Sequence, residues 1–81
     1  MRFKAQVDVM LRDGIADPQG QTIERALPAL GFGSVSEVRV GKRIELELDA
    51  PSEDEARAQL DKMCDQLLAN PVIESYEVTL R

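Results

Sequence analysis

Residues 39–48, RVGKRIELEL, decide the fold, because a glycine stands here between two segments of strand-like character. In residues 44–48 apolar and charged side chains alternate, and this period of two is typical of a half-buried β-strand. Residues 35–40 also have strand composition, so we expect a hairpin turn at Gly41. The basic neighbours Arg39, Lys42 and Arg43 raise two other possibilities, a phosphate cradle and a nucleic-acid contact.

The register of this hairpin stays open between two arrangements. A loop of odd length, residues 41–43, places the apolar residues of both strands on one face of the sheet. A two-residue loop, residues 41–42, places them on opposite faces. The second arrangement gives a hairpin that is buried on both sides, which would require a partner chain.

Upstream of this stretch the pattern predicts a strand and then a helix. Apolar residues alternate with polar ones in residues 3–11, which indicates a half-buried strand. Asp17 followed by Pro18 is typical of a helix start, and Gly31 of a helix end. Pro28 should kink the helix or tighten its last turn. The apolar stripe of this helix is Ile23, Ala26, Leu27 and Leu30.

Downstream the pattern predicts a second helix and a last strand. Ser52 with Glu55 three residues later forms a capping-box signature, and Pro71 requires the helix to end before it. The last strand lies in residues 72–80, with Tyr76, Val78 and Leu80 on one side. The apolar stripe of the second helix is Ala56, Leu60, Met63, Cys64, Leu67 and Leu68.

The predicted fold is therefore α+β, with the element order β-α-β-β-α-β in two layers. Two helices with one apolar stripe each would cover one face of a four-stranded, mostly antiparallel sheet, the ferredoxin-like arrangement. The sequence contains no low-complexity run and no linker, so we expect a single domain over residues 1–81.

Composition excludes several classes of function. The net charge of −5 disfavours nucleic acid and anionic membranes as partners. The chain has no histidine and one cysteine, Cys64, so the common zinc spacings are absent, and a buried thiol is expected instead. No segment has the length and hydrophobicity of a signal peptide or a membrane span, so we expect a cytoplasmic protein. A core this small predicts self-association or docking on a partner.

No catalytic or ligand site assembles in the sequence. A phosphate cradle normally needs a helix N-terminus, whereas Gly41 is expected between strands. RNA-recognition domains share the element order but stack bases on aromatic residues of the central strands, which the hairpin lacks. Acylphosphatases share it too, but Arg12 and Gly14 match their phosphate loop only weakly.

Three blocks of the sequence together resemble the PurS family, the small subunit of phosphoribosylformylglycinamidine synthase in purine biosynthesis. The resemblance runs from the first strand to the last, and Pro28 is the departure from the family pattern. The blocks contain Asp17-Pro18-Gln19-Gly20, Val38-Arg39-Val40-Gly41-Lys42 followed by Ile44-Glu45-Leu46, and Leu68-Ala69-Asn70-Pro71-Val72-Ile73-Glu74.

The resemblance implies a non-catalytic subunit of an ATP- and glutamine-dependent ligase that amidates formylglycinamide ribonucleotide. Such a chain forms a homodimer or a higher oligomer and brings together a synthetase subunit and a glutaminase subunit. It holds no cofactor itself, since ATP and magnesium are used by the synthetase. The alternative is a regulatory domain of the same topology that binds a small metabolite.

The candidate partner interface takes residues from two of these blocks. The residues are Arg39, Gly41, Lys42, Arg43, Asn70 and Pro71. On an acidic chain the three basic residues around Gly41 form a local feature that can orient a partner. The simpler interpretation, that they only keep a turn soluble, stays open.

Overall fold

The computed structural model describes every residue from Met1 to Arg81. The elements are β1 (Arg2–Leu11), α1 (Pro18–Ala26), a 3₁₀ turn (Pro28–Leu30), β2 (Gly41–Asp49), α2 (Glu53–Met63), a π-helical turn (Cys64–Leu68) and β3 (Glu74–Leu80). The α+β class and the antiparallel character of the sheet are as the sequence predicts. None of the helices combines the length and the hydrophobicity that a membrane-spanning segment needs.

The sheet has three strands in the order β2-β1-β3, and both pairings are antiparallel. On its apolar face Val7 lies opposite Ile44 on one side and Val78 on the other. On its polar face Asp8 lies opposite Arg43 and Glu77. The alternation in the three strands therefore separates one apolar face from one polar face.

The predicted fourth strand in residues 35–40 does not form, and the prediction of a hairpin at Gly41 is therefore wrong. These residues pair with no strand, while Gly41 is the first residue of β2 and lies opposite Met10 of β1. The physical reason is that side chains of the first helix capture the backbone here. Glu24 Oε1 accepts from the amide of Val38 at 2.9 Å, and Asp17 Oδ2 accepts from the amide of Val40 at 2.8 Å. Neither of the two hairpin registers occurs.

The core lies between α2 and the apolar face of the sheet. Leu60 and Cys64 of the helical segment pack with Val7 and Val9 of β1, and all four are buried at 1 % exposure or less. The prediction that Ser52 caps α2 is confirmed, since its Oγ accepts from the amide of Glu55 at 3.2 Å, but the return bond from the Ser52 amide to the Glu55 carboxylate that would complete a capping box does not form. The buried position of Cys64 is confirmed too, and its burial raises the pKa of the thiol.

The first helix forms where the sequence predicts it but does not enter the core. Pro28 begins a 3₁₀ turn, as expected for a tightened last turn, and Gly31 ends it in the left-handed conformation at φ 99°. The predicted apolar stripe is not buried, because Ile23 is 44 % exposed and Leu30 is 70 % exposed. The prediction that two helices cover one face of the sheet is therefore wrong for the single chain, since only α2 supplies buried side chains to the core.

Residues 18–40, which we call the arm, thus lie outside the main core. The chain measures 52 × 25 × 14 Å and has a radius of gyration of 16.3 Å. A compact domain of this length has a radius near 12 Å. The chain is therefore an elongated plate whose arm is not packed as a second helical layer.

The π-helical turn changes the second predicted stripe. The amide of Ala69 donates to the carbonyl of Cys64 five residues back, at 3.0 Å. The wider turn shifts the angular position of the following residues, so Leu68 is half-buried while Leu67 is 83 % exposed. The prediction that Leu67 belongs to the core is wrong for this reason.

Candidate partner interface

The predicted interface residues fall in two places at the same end of the sheet. Gly41 opens β2 opposite Met10, and Glu74 opens β3 opposite Leu11. The segment that precedes β2 carries Arg39, and the turn that precedes β3 carries Asn70 and Pro71. The end of β1 lies between the two places.

Arg39 is engaged within the chain. Its guanidinium donates to the carbonyl of Leu11 and forms an ion pair with Asp13, with 3.3 Å between Nη1 and Oδ1. These contacts tie the end of the arm to the end of β1. Arg39 therefore has a positioning role that the sequence does not reveal.

Lys42 and Arg43 point to opposite faces of the sheet. Lys42 lies opposite Val9, on the apolar face, and makes no ion pair. Arg43 lies on the polar face, where its Nε donates to Asp8 Oδ1 at 2.9 Å. This hydrogen bond is the main reason that the pKa of Asp8 is lowered. The basic residues therefore do not form one continuous patch, and Lys42 is the cation that remains free to meet a partner.

Gly41 is required by a close approach between strands. A Cβ atom at this position would lie 2.5 Å from the carbonyl oxygen of Val9 and would collide with the side chain of Met10. No helix begins at Gly41, so its amide belongs to a strand and not to a ring of convergent donors. The glycine permits β2 to start against β1.

The turn at Asn70 and Pro71 is braced by Arg12. The Arg12 guanidinium donates twice to the carbonyl of Pro71, from Nε at 3.2 Å and from Nη2 at 3.1 Å. Asn70 Oδ1 accepts from the amide of Val72 at 3.1 Å, and Glu74 Oε1 accepts from the amide of Asn70 at 2.6 Å. The turn is therefore fixed by side chains from three positions.

Sequence reasoning missed the carboxylates that hold the arm. Asp17 is predicted as a helix cap, and its Oδ1 does accept from the amide of Gly20 at 2.9 Å. Its second bond, to the amide of Val40, joins residues 23 apart in sequence and leaves no local signal. Both bonds favour the ionised form, so they lower the pKa of Asp17, with the bond from Gly20 contributing most.

The depressions of the surface do not resemble a metabolite site. One depression lies on the polar face, lined by side chains of both charges that include Lys4, Glu45, Glu47 and Arg81. Another, beside Pro18, Ile23 and Val40, is more apolar but lies wide open to solvent. Ligand sites are usually enclosed and mostly apolar, with a few convergent polar groups. No group of three or more acidic, cysteine or histidine side chains is placed to hold a metal ion.

These features define a small α+β protein whose distinctive parts are an extended arm, a braced turn and exposed apolar side chains. Proteins use such surfaces to contact other proteins. Comparison with known proteins then gives the family. The family model for PurS, described as phosphoribosylformylglycinamidine (FGAM) synthase, matches residues 4–81, and the chain belongs to this family.

Individual relatives agree over nearly the whole chain. The PurS subunit of phosphoribosylformylglycinamidine synthase from Synechocystis is 51 % identical over 74 residues, which are 91 % of this chain and 74 % of the relative. The crystal structure of Methanocaldococcus jannaschii PurS superposes with a TM-score of 0.85 at 40 % identity, covering 98 % of this chain and 95 % of that one. A chain in the structure of PurLQS from Thermotoga maritima superposes with a TM-score of 0.90 at 41 % identity, covering 100 % and 99 %.

Proposed function

We propose that this chain is the bridging, non-catalytic subunit of a phosphoribosylformylglycinamidine synthase in the cytoplasm. It would join a synthetase subunit, which uses ATP and magnesium, to a glutaminase subunit that releases ammonia from glutamine. The observation that carries the proposal is the full-length match to a chain of the PurLQS structure. No part of the proposal places a cofactor on this chain.

The experiment that tests this function compares two sources of nitrogen. Synthetase and glutaminase subunits from the same organism are assayed for formylglycinamide ribonucleotide amidation, with glutamine or with ammonium, with and without this chain. We expect the chain to raise the glutamine-dependent rate and to leave the ammonium-dependent rate unchanged. An unchanged glutamine-dependent rate would contradict the proposal, as would ATP hydrolysis or glutaminase activity by the purified chain alone.

Lys42 provides a sharper test of the predicted interface. Because Arg43 is paired with Asp8, its reversal would also disturb the sheet, whereas Lys42 makes no ion pair. We expect Lys42→Glu to fold normally and to lower glutamine-dependent activity at limiting concentrations of the chain. Lys62→Glu, an equal charge change on exposed α2, is the matched control and should behave as the unaltered chain. Equal activities of the two variants would leave Lys42 outside the interface.

We further propose that the chain assembles as a homodimer through the arm. The arm and the loop between β1 and the arm carry apolar side chains that the chain itself does not cover: Ile15, Ile23, Leu30, Phe32 and Val35. The sheet in turn lacks the second helix that its apolar face was expected to have, and β2 has one free edge. A second copy offers both missing parts at once, because each arm can cover the other sheet.

In this homodimer the fourth strand and the second helical layer of the ferredoxin-like arrangement would be supplied by the partner copy. Light scattering is expected to give twice the chain mass, with or without reductant, because Cys64 is buried. Ile23→Asp should shift the mass toward the monomer, while Ala58→Asp on the exposed side of α2 should not. A monomeric mass for the unaltered chain at tens of micromolar would contradict the dimer.

A further inference from the structure

The pairing of β1 with β2 stops before the two segments run out of strand-like sequence. Lys4 exchanges both of its backbone hydrogen bonds with Arg81, on the β3 side, so the odd-numbered residues of β1 direct their amides and carbonyls toward β2. Continuing the register by one residue would place Leu11 opposite Val40 as a hydrogen-bonded pair. No backbone hydrogen bond joins these two residues.

Side chains replace both backbone bonds of this missing pair. The amide of Val40 donates to Asp17 Oδ2 at 2.8 Å and not to the carbonyl of Leu11. That carbonyl accepts instead from the guanidinium of Arg39. A carboxylate thus takes the place of a carbonyl, a guanidinium takes the place of an amide, and β2 extends no further along β1.

The same replacement occurs at the next pair that would form hydrogen bonds. A ladder continued in register would place Asp13 opposite Val38, but the amide of Val38 donates to Glu24 Oε1 at 2.9 Å. Hydrogen bonds to a carboxylate are stronger than those to a carbonyl. Continued pairing would also bring Arg12 opposite Arg39, two like charges. Both effects favour the arrangement that the structure shows.

The backbone at Glu37 favours the opposite arrangement. Glu37 has φ 57° and is the one residue other than glycine with a positive φ, a conformation in which its Cβ crowds the backbone. A strand that continued directly into β2 would let Glu37 adopt an extended conformation. It would also give partners to the amides of Leu11 and Asp13, which make no backbone hydrogen bond.

We propose that residues 37–40 form a two-state junction that controls how firmly α1 is attached to β2. In the held state, which the structure shows, Asp17 and Glu24 bind the amides of Val40 and Val38. In the paired state these two amides bond to β1, the ladder gains two hydrogen-bonded pairs, and α1 loses both attachments. The inference concerns the single chain and stands whether or not the chain bridges other subunits.

Hydrogen exchange measured by nuclear magnetic resonance on a double variant, Asp17→Ala with Glu24→Ala, tests the junction. In the unaltered chain the Leu11 amide should exchange rapidly, since it has no backbone partner. In the double variant the ladder should lengthen, so exchange at Leu11 should slow at least about tenfold. A nuclear Overhauser contact should then join the Hα atoms of Arg12 and Arg39, which become a closely spaced pair.

The matched control removes two carboxylates from exposed positions of the other helical segment. Glu53→Ala with Asp65→Ala changes the charge equally and should leave exchange at Leu11 unaltered. Equally rapid exchange at Leu11 in the unaltered chain and in the Asp17, Glu24 variant would overturn the proposal. It would show that residues 37–40, once released by the carboxylates, have no second place to bind.

Substitutions at Glu37 test the junction with both carboxylates present. Glycine adopts the left-handed conformation without strain, whereas valine strongly disfavours it. Glu37→Gly should therefore favour the held state and Glu37→Val the paired state, with exchange at Leu11 severalfold slower in the valine variant. Simple destabilisation by valine would instead accelerate exchange. Equal or faster exchange at Leu11 in the valine variant would overturn the proposal, and this comparison decides the case if the double variant does not fold.

Discussion

The two helices of this chain have similar apolar stripes, yet different forces hold them in place. α2 packs Ala56 and Leu60 against the sheet at 0 % exposure. α1 buries only Gly20, and the arm is fixed by hydrogen bonds that its backbone amides donate to the carboxylates of Asp17 and Glu24. The contrast shows that an apolar stripe on a helix predicts that this face will be buried. It does not predict whether the surface that buries it belongs to the same chain or to another one.

Of the substitutions considered, one in the buried face of α2 is expected to change the stability most. Leu60→Ala should lower the free energy of unfolding by about 2–5 kcal/mol, because it leaves a cavity at a fully buried site. Urea denaturation would measure it. Leu67→Ala is the matched control, and at 83 % exposure it should stay within about 0.5 kcal/mol of the unaltered chain. Equal losses at the two sites would mean that Leu67 is buried in solution.

The second-largest loss of stability is expected at Gly20, where the arm packs closely against itself. Gly20→Ala should gain about 1 kcal/mol in helix propensity, but the new Cβ would lie 2.7 Å from Asp17 Oδ2 and collide with the carbonyl oxygen of Val38. We expect the collision to dominate, with a net loss of about 1–2 kcal/mol and faster hydrogen exchange at the Val38 and Val40 amides. Gly33→Ala meets no atom within 4 Å and is the control. A stabilised Gly20→Ala chain would show that the arm moves freely.

Acid should release the arm before it affects the core. The pKa of Asp17 in the folded chain lies below its usual 3.8, so the unfolded chain binds the proton more readily. The stabilisation is fully present above about pH 5 and is lost as the pH falls below 3.8 through the folded-state pKa. Amide protection at Gly20 and Val40 should decrease in this range, and Asp17→Asn should remove most of the pH dependence. Equal acid sensitivity of the Asn variant would assign the effect to other carboxylates.

The smallest effect on folding is expected at Ile23, although it removes the same kind of side chain as Leu60. Ile23 is 44 % exposed, so Ile23→Ala should change the unfolding free energy of the dilute, monomeric chain by less than about 0.5 kcal/mol. The same variant should weaken self-association measurably by light scattering. A loss as large as that of Leu60→Ala would place Ile23 in the core of the single chain.

Local signals in the sequence predicted the local structure well. The alternation in β1, the cap at Ser52, the left-handed Gly31 and the tightened turn at Pro28 depend on neighbouring residues only, and all four are confirmed. The partner of a strand is not a local property. Residues 44–48 alternate whether they pair with residues 35–40 or with β1, so the pattern could not distinguish the two.

The failures have specific causes as well. Val38 and Val40 have strand-like spacing, but their amides donate to the carboxylates of Glu24 and Asp17 and not to a neighbouring strand. Bonds between residues so far apart in sequence produce no periodic pattern from which they could be predicted. The outward position of Leu67 depends on a single widened helical turn. For the interface, the sequence predicted only that the second helix ends before Pro71, whereas the turn at Asn70 and its brace by Arg12 required coordinates.

The thin, elongated shape also has a consequence for solution scattering. A radius of gyration of 16.3 Å is that of a compact globule of about 190 residues, more than twice the length of this chain. The angular dependence of X-ray scattering alone would therefore suggest a compact dimer even for a solution of single chains. Forward intensity on an absolute scale reports mass and separates the two cases, since its value per unit concentration doubles only when two chains associate.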